Sequence, residues 1–344
     1  ATEVFLRADV SAIDTAVAKL YTSETCQQVG HEVLRRWRTL AKRPGLDDLV
    51  REELFSGLTE SPGLTLSAGT SEMMLSTIAA DLKEDYGRRC LQILHGFGGE
   101  LVDTVVEVLD PVGARIKAEP LFAYSTTRRA ALADALAEFG FDRVELPEDE
   151  GGLGLGLTVG CAIGMSLGYL GYENGYRPCR LADPDPAGSG ADACDDHPEA
   201  LDCRVRHAAY VLGLGIGLFR TAWEHASTRE QFGRHLVDYD ALVFPLIRGY
   251  AELQALCKRL HEIADTIADL DEAVVRRFEL VEQDALVRVV RSSMQVLGAQ
   301  GITAWSIASR FYLRCAENIG PVDQRHEEEV VRCASPSMAP GRRM

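Results

Sequence analysis

Apolar residues recur along most of this chain at intervals of three and four positions, the period of an amphipathic α-helix. The first run places Ile13, Val17 and Leu20 on one helical face. The same spacing predicts helices over 11–38, 128–139, 159–170, 204–228, 240–269, 280–297 and 302–316. Residues 64–74 lead into a further apolar helix that ends at 82, and another apolar helix follows Gly99 and runs to Leu109. The pattern therefore predicts an all-α protein.

Two glycine turns follow predicted helices and carry polar groups. Arg229 to Gly233 has the sequence Arg-Glu-Gln-Phe-Gly and ends the helix 204–228, where a glycine lets the backbone turn. Gln295 to Gly301 ends the helix 280–297 and contains two glycines. A guanidinium, a carboxamide and backbone N–H groups at such turns suit a diphosphate. Either motif by itself is also explained as an ordinary helix stop with a solvated arginine.

Together and in this order, the two turns resemble motifs of the acyl-CoA dehydrogenase family. The similar segments are 226–239, 295–301 and 310–314. In that family the motifs lie in a C-terminal four-helix bundle and contact the FAD diphosphate and adenine of a neighbouring chain. The resemblance therefore implies FAD contacts in trans by Arg229, Gln231, Phe232, Gln295 and Gly298.

The resemblance also implies parts of two copies of the fold in one chain. Residues 1–85 resemble the end of a C-terminal helical domain, and 86–120 form a connector. Residues 121–176 resemble an N-terminal helical domain, and 203–344 resemble the C-terminal bundle. Between them, 177–202 is an acidic linker rich in proline and glycine, where the family has a middle β domain. We expect this chain to lack the part that would hold its own isoalloxazine.

The family's catalytic glutamate is missing at both places where the resemblance would put it. In the first copy its place is taken by Ala68, whose methyl group cannot remove the α-proton of an acyl thioester. Thr70 keeps the hydroxyl that the resemblance places against the flavin, while Glu72 is interpreted as a structural or capping residue. In the second copy Asp323 occupies the glutamate's place and is the candidate base, although a helix cap would explain it equally well.

Composition narrows the class of partner. Lys and Arg total 36 against 52 Asp and Glu, a formal charge of −16 that argues against a nucleic-acid partner. Nine scattered cysteines show no paired spacing, so we expect neither a metal site nor a disulfide framework. No apolar run is long enough to span a membrane, and the N-terminus shows no secretory pattern. A cytoplasmic location is the expectation.

We expect an oligomer that desaturates an acyl thioester of CoA or a carrier protein with FAD. Its partner is either a second copy of the chain or an acyl-CoA dehydrogenase-like chain. Two alternatives stay open, since loss of the glutamate and the middle domain also suits a flavin-free enzyme, such as a cyclase, or a catalytically silent subunit. Arg229, Phe232 and the Gln295 turn favour the dehydrogenase, because helix packing alone does not require them in that order.

Overall fold

A computed structural model describes the helical parts of the chain. The described residues are 11–40, 52, 55–57, 63–66, 69–97, 99–116, 132, 134–172, 201–303 and 306–319. Two of the predicted positions, Ala68 and Asp323, lie outside these residues, as does the linker up to residue 200.

Regular structure in the described residues is almost entirely helical. The helices are α1 (Ala12–Leu40), α2 (Ser71–His95), α3 (Gly99–Ile116), α4 (Leu157–Tyr169), α5 (Leu201–Thr228), α6 (Asp240–Asp265), α7 (Glu272–Leu297), α8 (Ala299–Ile302) and α9 (Ile307–Asn318). Strands β1 (Glu230–Gln231) and β2 (Arg234–His235) pair antiparallel between α5 and α6. Short 3₁₀ helices occupy Phe141–Arg143, Glu148–Glu150, Leu236–Asp238 and Ile267–Asp269.

The predicted all-α class is confirmed, but several helix boundaries differ from the expected ones. Helix α2 continues to His95, well past the predicted end at 82, and α6 ends at Asp265 instead of 269. Helix α5 begins at Leu201, three residues before the predicted start. Helix α7 begins at Glu272, because the Asp271 side chain accepts a hydrogen bond from the Ala273 N–H at 2.9 Å and caps it. The predicted helix 302–316 is wrong in its first turn. The short α8 ends at Ile302 and Thr303 is extended. Helix α9 then begins at Ile307, after the capping residue Ser306.

The chain divides into two compact units. The first unit contains Ala1–Arg89 and Trp223–Ala255, and the second contains Cys90–Ala222 and Leu256–Met344. The boundaries between the units fall within α2, α5 and α6. No helix in the described ranges is long and apolar enough to cross a membrane.

The core of the first unit forms between α1, the start of α2 and the first half of α6. Its fully buried side chains include Leu20, Leu75, Ile78, Leu82, Trp223, Leu246, Ile247 and Tyr250. At the edge of this core, the Arg248 Nε of α6 lies 3.1 Å from both carboxylate oxygens of Glu24 on α1. The hairpin β1–β2 and the Gly69–Thr70 turn both belong to this unit.

In the second unit, α4 and α5 approach so closely that glycines must separate them. A Cβ on Gly168 of α4 would lie 2.1 Å from the Tyr210 carbonyl oxygen of α5. Conversely, a Cβ on Gly213 of α5 would lie 2.1 Å from the Met165 carbonyl oxygen. Real side chains never approach this near, so the two backbones touch directly. This contact covers one face of α4 and α3 packs against it as well, so α4 is buried from Gly160 onward.

A carboxyl group is buried within the same unit. Glu282 of α7 is 4% exposed, and its Oε1 has no hydrogen-bond partner among the described residues. Burial, and then the charge of Glu279 one turn earlier, raise the pKa of Glu282 well above its ordinary value. Glu279 itself is stabilised by Arg204, whose Nε and Nη2 donate to its two carboxylate oxygens at 2.9 and 2.6 Å.

We expect Gly168→Ala to destabilise the protein by about 1–3 kcal/mol, because the added methyl group must push α4 away from α5. The measurement is the midpoint of thermal unfolding, which should fall by several degrees. Gly99→Ala is the matched control in the same unit, since its Cβ would meet nothing closer than His95 Cγ at 3.6 Å. Equal midpoints for the two variants would contradict the close backbone contact.

We expect Glu282→Gln to stabilise the protein at neutral pH and to have little effect in acid. Because the pKa of Glu282 is higher in the folded state than in the unfolded state, the protonated carboxyl contributes to the free energy of unfolding. That contribution is complete below the ordinary pKa of 4.5 and is lost as pH rises through the pKa of the folded state. Glutamine keeps the shape without the charge. Denaturant unfolding at about pH 8 and about pH 5 should therefore show a gain that shrinks towards the lower pH.

Glu279→Gln is the contrasting variant, because it removes a carboxylate that Arg204 pairs with. It should lower stability at both pH values. A gain for Glu282→Gln of the same size at both pH values would show that the charge is not its cause.

Candidate functional site

The Arg229–Gly233 motif forms the tip of the β-hairpin in the first unit. Glu230 lies opposite His235 and Gln231 opposite Arg234, which leaves Phe232 and Gly233 as a two-residue turn. Both turn residues have positive φ, 53° at Phe232 and 78° at Gly233. This is the pattern of a type I′ turn, which favours asparagine and glycine rather than an aromatic residue.

The side chains of this motif face solvent. Phe232 is 96% exposed, and Arg229, Glu230 and Gln231 are exposed as well. Within the described part of the chain, Arg229 forms no salt bridge. His225 lies one turn before Arg229. Its partial burial, and to a lesser extent the charge of Arg229, lower the pKa of its imidazole. The tip therefore presents a cation, an amide and an aromatic ring to solvent.

Contacts at the base of the hairpin fix its course. The Leu236 N–H donates to the Arg229 carbonyl oxygen at 2.9 Å, and the Tyr239 hydroxyl donates to the Gln231 carbonyl oxygen at 2.7 Å. Asp238 accepts from Lys83 of α2 at 2.8 Å, and this hydrogen bond is the main cause that lowers the pKa of the Asp238 carboxyl. Neither Tyr239 nor Lys83 carries a sequence signal for these roles, since only the folded chain shows what they contact.

The Gly69–Thr70 turn precedes α2 in the same unit. The Lys19 ammonium of α1 donates to the carbonyl oxygens of Gly69 at 2.6 Å and Thr65 at 3.3 Å. The Thr70 hydroxyl oxygen accepts from the Met73 N–H at 3.4 Å. Hydrogen bonds from its own backbone and from Thr70 lower the pKa of the exposed Glu72. Thr70 and Glu72 together therefore cap the first turn of α2.

Thr70 does not lie next to the ion pair between Lys83 and Asp238 at the base of the hairpin. Lys83, which pairs with Asp238, lies 13 residues further along α2, or about 20 Å along its axis. The hydroxyl of Thr70 and the ion pair at the base of the hairpin are therefore separate features of the first unit.

The second predicted turn belongs to the second unit. Gln295 and Gly298 are exposed at the end of α7, and Gly298 has φ 54° and ψ −131°, outside the range open to most residues. The Ser309 hydroxyl lies 2.9 Å from the Gly301 carbonyl oxygen and 2.6 Å from that of Thr303. This turn is thus held from α9, with its amide side chain left in solvent.

Each of the two turns, taken separately, carries groups of the kind that can bind the charged half of FAD. Diphosphate oxygens accept hydrogen bonds from a guanidinium such as Arg229, from carboxamides such as Gln231 and Gln295, and from backbone N–H groups. An exposed Phe232 suits the flat adenine. The strands of the described residues are only two residues long, so these residues contain no β domain to enclose an isoalloxazine. They also contain no cluster of histidine, cysteine and acidic side chains that could hold a metal ion.

Comparison with known proteins identifies the C-terminal part of the chain. Residues 201–317 match the family described as acyl-CoA dehydrogenase, C-terminal domain. No curated protein matches the sequence.

Two solved structures are similar in fold. One is a crystal structure of the ChsE4–ChsE5 complex from Mycobacterium tuberculosis, with a TM-score of 0.56 and 14% identity over 71% of this chain and 98% of that chain. The other is the Tcur3481–Tcur3483 steroid ACAD G363A variant, with a TM-score of 0.50 and 16% identity over 76% of this chain and 99% of that chain. The helical fold and the matched segment agree: residues 201–317 match the C-terminal domain of the acyl-CoA dehydrogenase family, and the chain is similar in fold to these two structures.

Proposed function

We propose that this chain is a subunit of an FAD-dependent acyl-CoA dehydrogenase and that its hairpin completes a flavin site on an acyl-CoA dehydrogenase-like partner. The reaction is the α,β-desaturation of an acyl thioester. The observation that carries the proposal is Phe232, an aromatic residue at 96% exposure with φ 53°.

Phe232 is unfavourable in the isolated chain for two reasons. A left-handed conformation costs a residue with a Cβ about 1–2 kcal/mol, and an exposed ring gains nothing from packing. Residues held in such conformations cluster at ligand contacts, where another molecule provides the compensating interaction. A flat ligand on a partner chain would cover the ring and explain why phenylalanine occupies a position that suits glycine.

The partner is proposed to be a different chain. Both similar structures are named for two proteins, ChsE4 with ChsE5 and Tcur3481 with Tcur3483. The acidic linker and the small β content of the described residues support an arrangement in which the partner holds the isoalloxazine. The charge of −16 also favours a partner that supplies the positive groups for the phosphates of CoA.

The residues of this chain have separate proposed roles. Arg229 and Gln231 hold the diphosphate, and Phe232 stacks on the adenine. In the second unit, Gln295 and the N–H groups near Gly298 are proposed as further flavin contacts. When bound, FAD supplies the hydride acceptor for the desaturation.

Proton removal from the thioester needs a base that Ala68 cannot provide. Asp323 is the proposed base, because it occupies the place of the family's glutamate in the second copy. Thr70 is proposed to direct its hydroxyl to the flavin, in addition to capping α2.

The first experiment measures bound flavin. We expect the purified chain to retain far less than one FAD per chain. Co-expression with each acyl-CoA dehydrogenase-like chain of the same genome should give one complex with stoichiometric FAD, which an acyl thioester reduces. Stoichiometric FAD in the isolated chain would contradict donation in trans. If the partner forms a stable complex with this chain but binds the same amount of flavin alone, the catalytically silent subunit would be favoured.

In that complex, Arg229→Ala should weaken FAD binding about 10- to 100-fold, the effect of losing charge-assisted hydrogen bonds worth about 1.5–3 kcal/mol. Fluorescence titration of the released and re-added FAD measures the change. Arg35→Ala is the matched control, because Arg35 belongs to the same unit, its side chain is 75% exposed, and it pairs with Glu32 one turn away on α1. The same loss in both variants would indicate a general charge effect.

Phe232→Gly separates the role of the ring in binding from its role in folding. Glycine adopts positive φ without strain, so the unfolding midpoint of the isolated chain should stay the same or rise slightly. FAD binding by the complex should nevertheless fall, because the stacking surface is gone. A variant that is destabilised and still binds FAD normally would show that Phe232 has a structural role only.

A further inference from the structure

We infer that the Tyr239 hydroxyl is a positioning group for the flavin-binding tip of the hairpin, an inference that rests on the proposed function. Its oxygen lies 2.7 Å from the Gln231 carbonyl oxygen, to which it donates a hydrogen bond. That carbonyl belongs to the peptide group between Gln231 and Phe232. Because a peptide group is planar, holding its oxygen also fixes the N–H of Phe232 and the plane from which the Phe232 φ is measured.

The hairpin needs such a hold because its own structure is weak. Each strand has two residues, and an isolated two-stranded hairpin is marginally stable in water. Its turn places phenylalanine where type I′ turns favour asparagine or glycine. The φ of Phe232 is 53°, whereas a residue with a Cβ favours negative φ. Without an outside contact, we expect Phe232 to return to negative φ, so that its ring no longer points in one fixed direction.

Tyr239 itself stands on a fixed backbone. Its N–H donates to the Leu236 carbonyl oxygen at 3.1 Å, and its carbonyl oxygen accepts from the N–H groups of Leu242 and Val243 at 2.9 and 3.1 Å. These bonds join the 3₁₀ helix Leu236–Asp238 to the start of α6. Asp238, the preceding residue, is paired with Lys83 of α2. The phenol therefore extends from an anchored segment to a weak one.

The hold acts on the same tip that carries the proposed ligand contacts. Leu236 closes the hairpin at Arg229, and Tyr239 closes it at Gln231, so a backbone and a side-chain hydrogen bond fix the two ends of β1. Tyr239 itself is not proposed to contact FAD. Its contribution to FAD binding is that Arg229 and Phe232 are already in place when the partner arrives.

The test is Tyr239→Phe in the full chain, since this change removes one oxygen and keeps the ring. In the complex with its partner, we expect FAD binding to weaken about 3- to 10-fold, the factor that one ordinary hydrogen bond provides. At saturating FAD, kcat should equal that of the wild type, and the unfolding midpoint should not change. Tyr21→Phe, a hydroxyl deletion on α1 of the same unit, is the matched control and should bind FAD as the wild type does.

A second measurement does not require flavin. In the isolated chain, Tyr239→Phe should speed amide hydrogen exchange several-fold at Arg234, which pairs with Gln231, and at Leu236, whose N–H donates to the Arg229 carbonyl oxygen, and should leave α6 unchanged. Unchanged exchange at the tip would overturn the inference. So would a lower midpoint together with a lower kcat at saturating FAD, because that combination indicates a general structural role.

The outcomes distinguish this inference from the proposed function. If Phe232→Gly weakens FAD binding and Tyr239→Phe does not, the inference is wrong and the proposed function stands. If neither variant weakens FAD binding, the hairpin does not contact flavin, and both are wrong.

Discussion

Direct contact between the backbones of α4 and α5 is the constraint on which the second unit depends. Gly168 and Gly213 leave no room for a methyl group on either helix, so the two axes lie closer than side chains would allow. Gly217 continues the contact one turn later, where a Cβ would lie 2.4 Å from the Tyr169 carbonyl oxygen. A helix pair that is this close has one register, because sliding by a residue would bring a side chain into the opposite backbone.

The polar groups of the second unit are arranged around that apolar contact. Arg206 of α5 pairs with Glu145 at 3.1 Å, and the Glu145 carboxylate fills the space that a side chain at position 160 would need. Glu282, by contrast, is a buried carboxyl without such a partner among the described residues. The difference matters because a buried paired charge is tolerated, whereas a buried carboxyl with an unpaired oxygen favours the protonated form.

The first unit combines a stable core with an unstable tip. Its core packs α1, α2 and α6, while the hairpin that follows α5 has two-residue strands and a residue in an unfavourable conformation. Hydrogen bonds from Leu236 and Tyr239 transmit the order of the core to that tip. The tip thereby presents a cation and an aromatic ring to solvent on only a few exposed residues.

Sequence periodicity alone determined the all-α class and most helices, because burial of one helical face requires apolar residues every three to four positions. It also located the two glycine turns, since a helix that ends at positive φ favours glycine. It could not show that Phe232 shares the positive φ of its neighbouring glycine, or that the hydroxyl of Tyr239, eight residues after Gln231, holds the turn. It also missed the break before α9, where the Ser306 cap competes with continuous helix. Such features depend on tertiary contacts between particular atoms, and the spacing of apolar residues along the sequence does not specify those contacts.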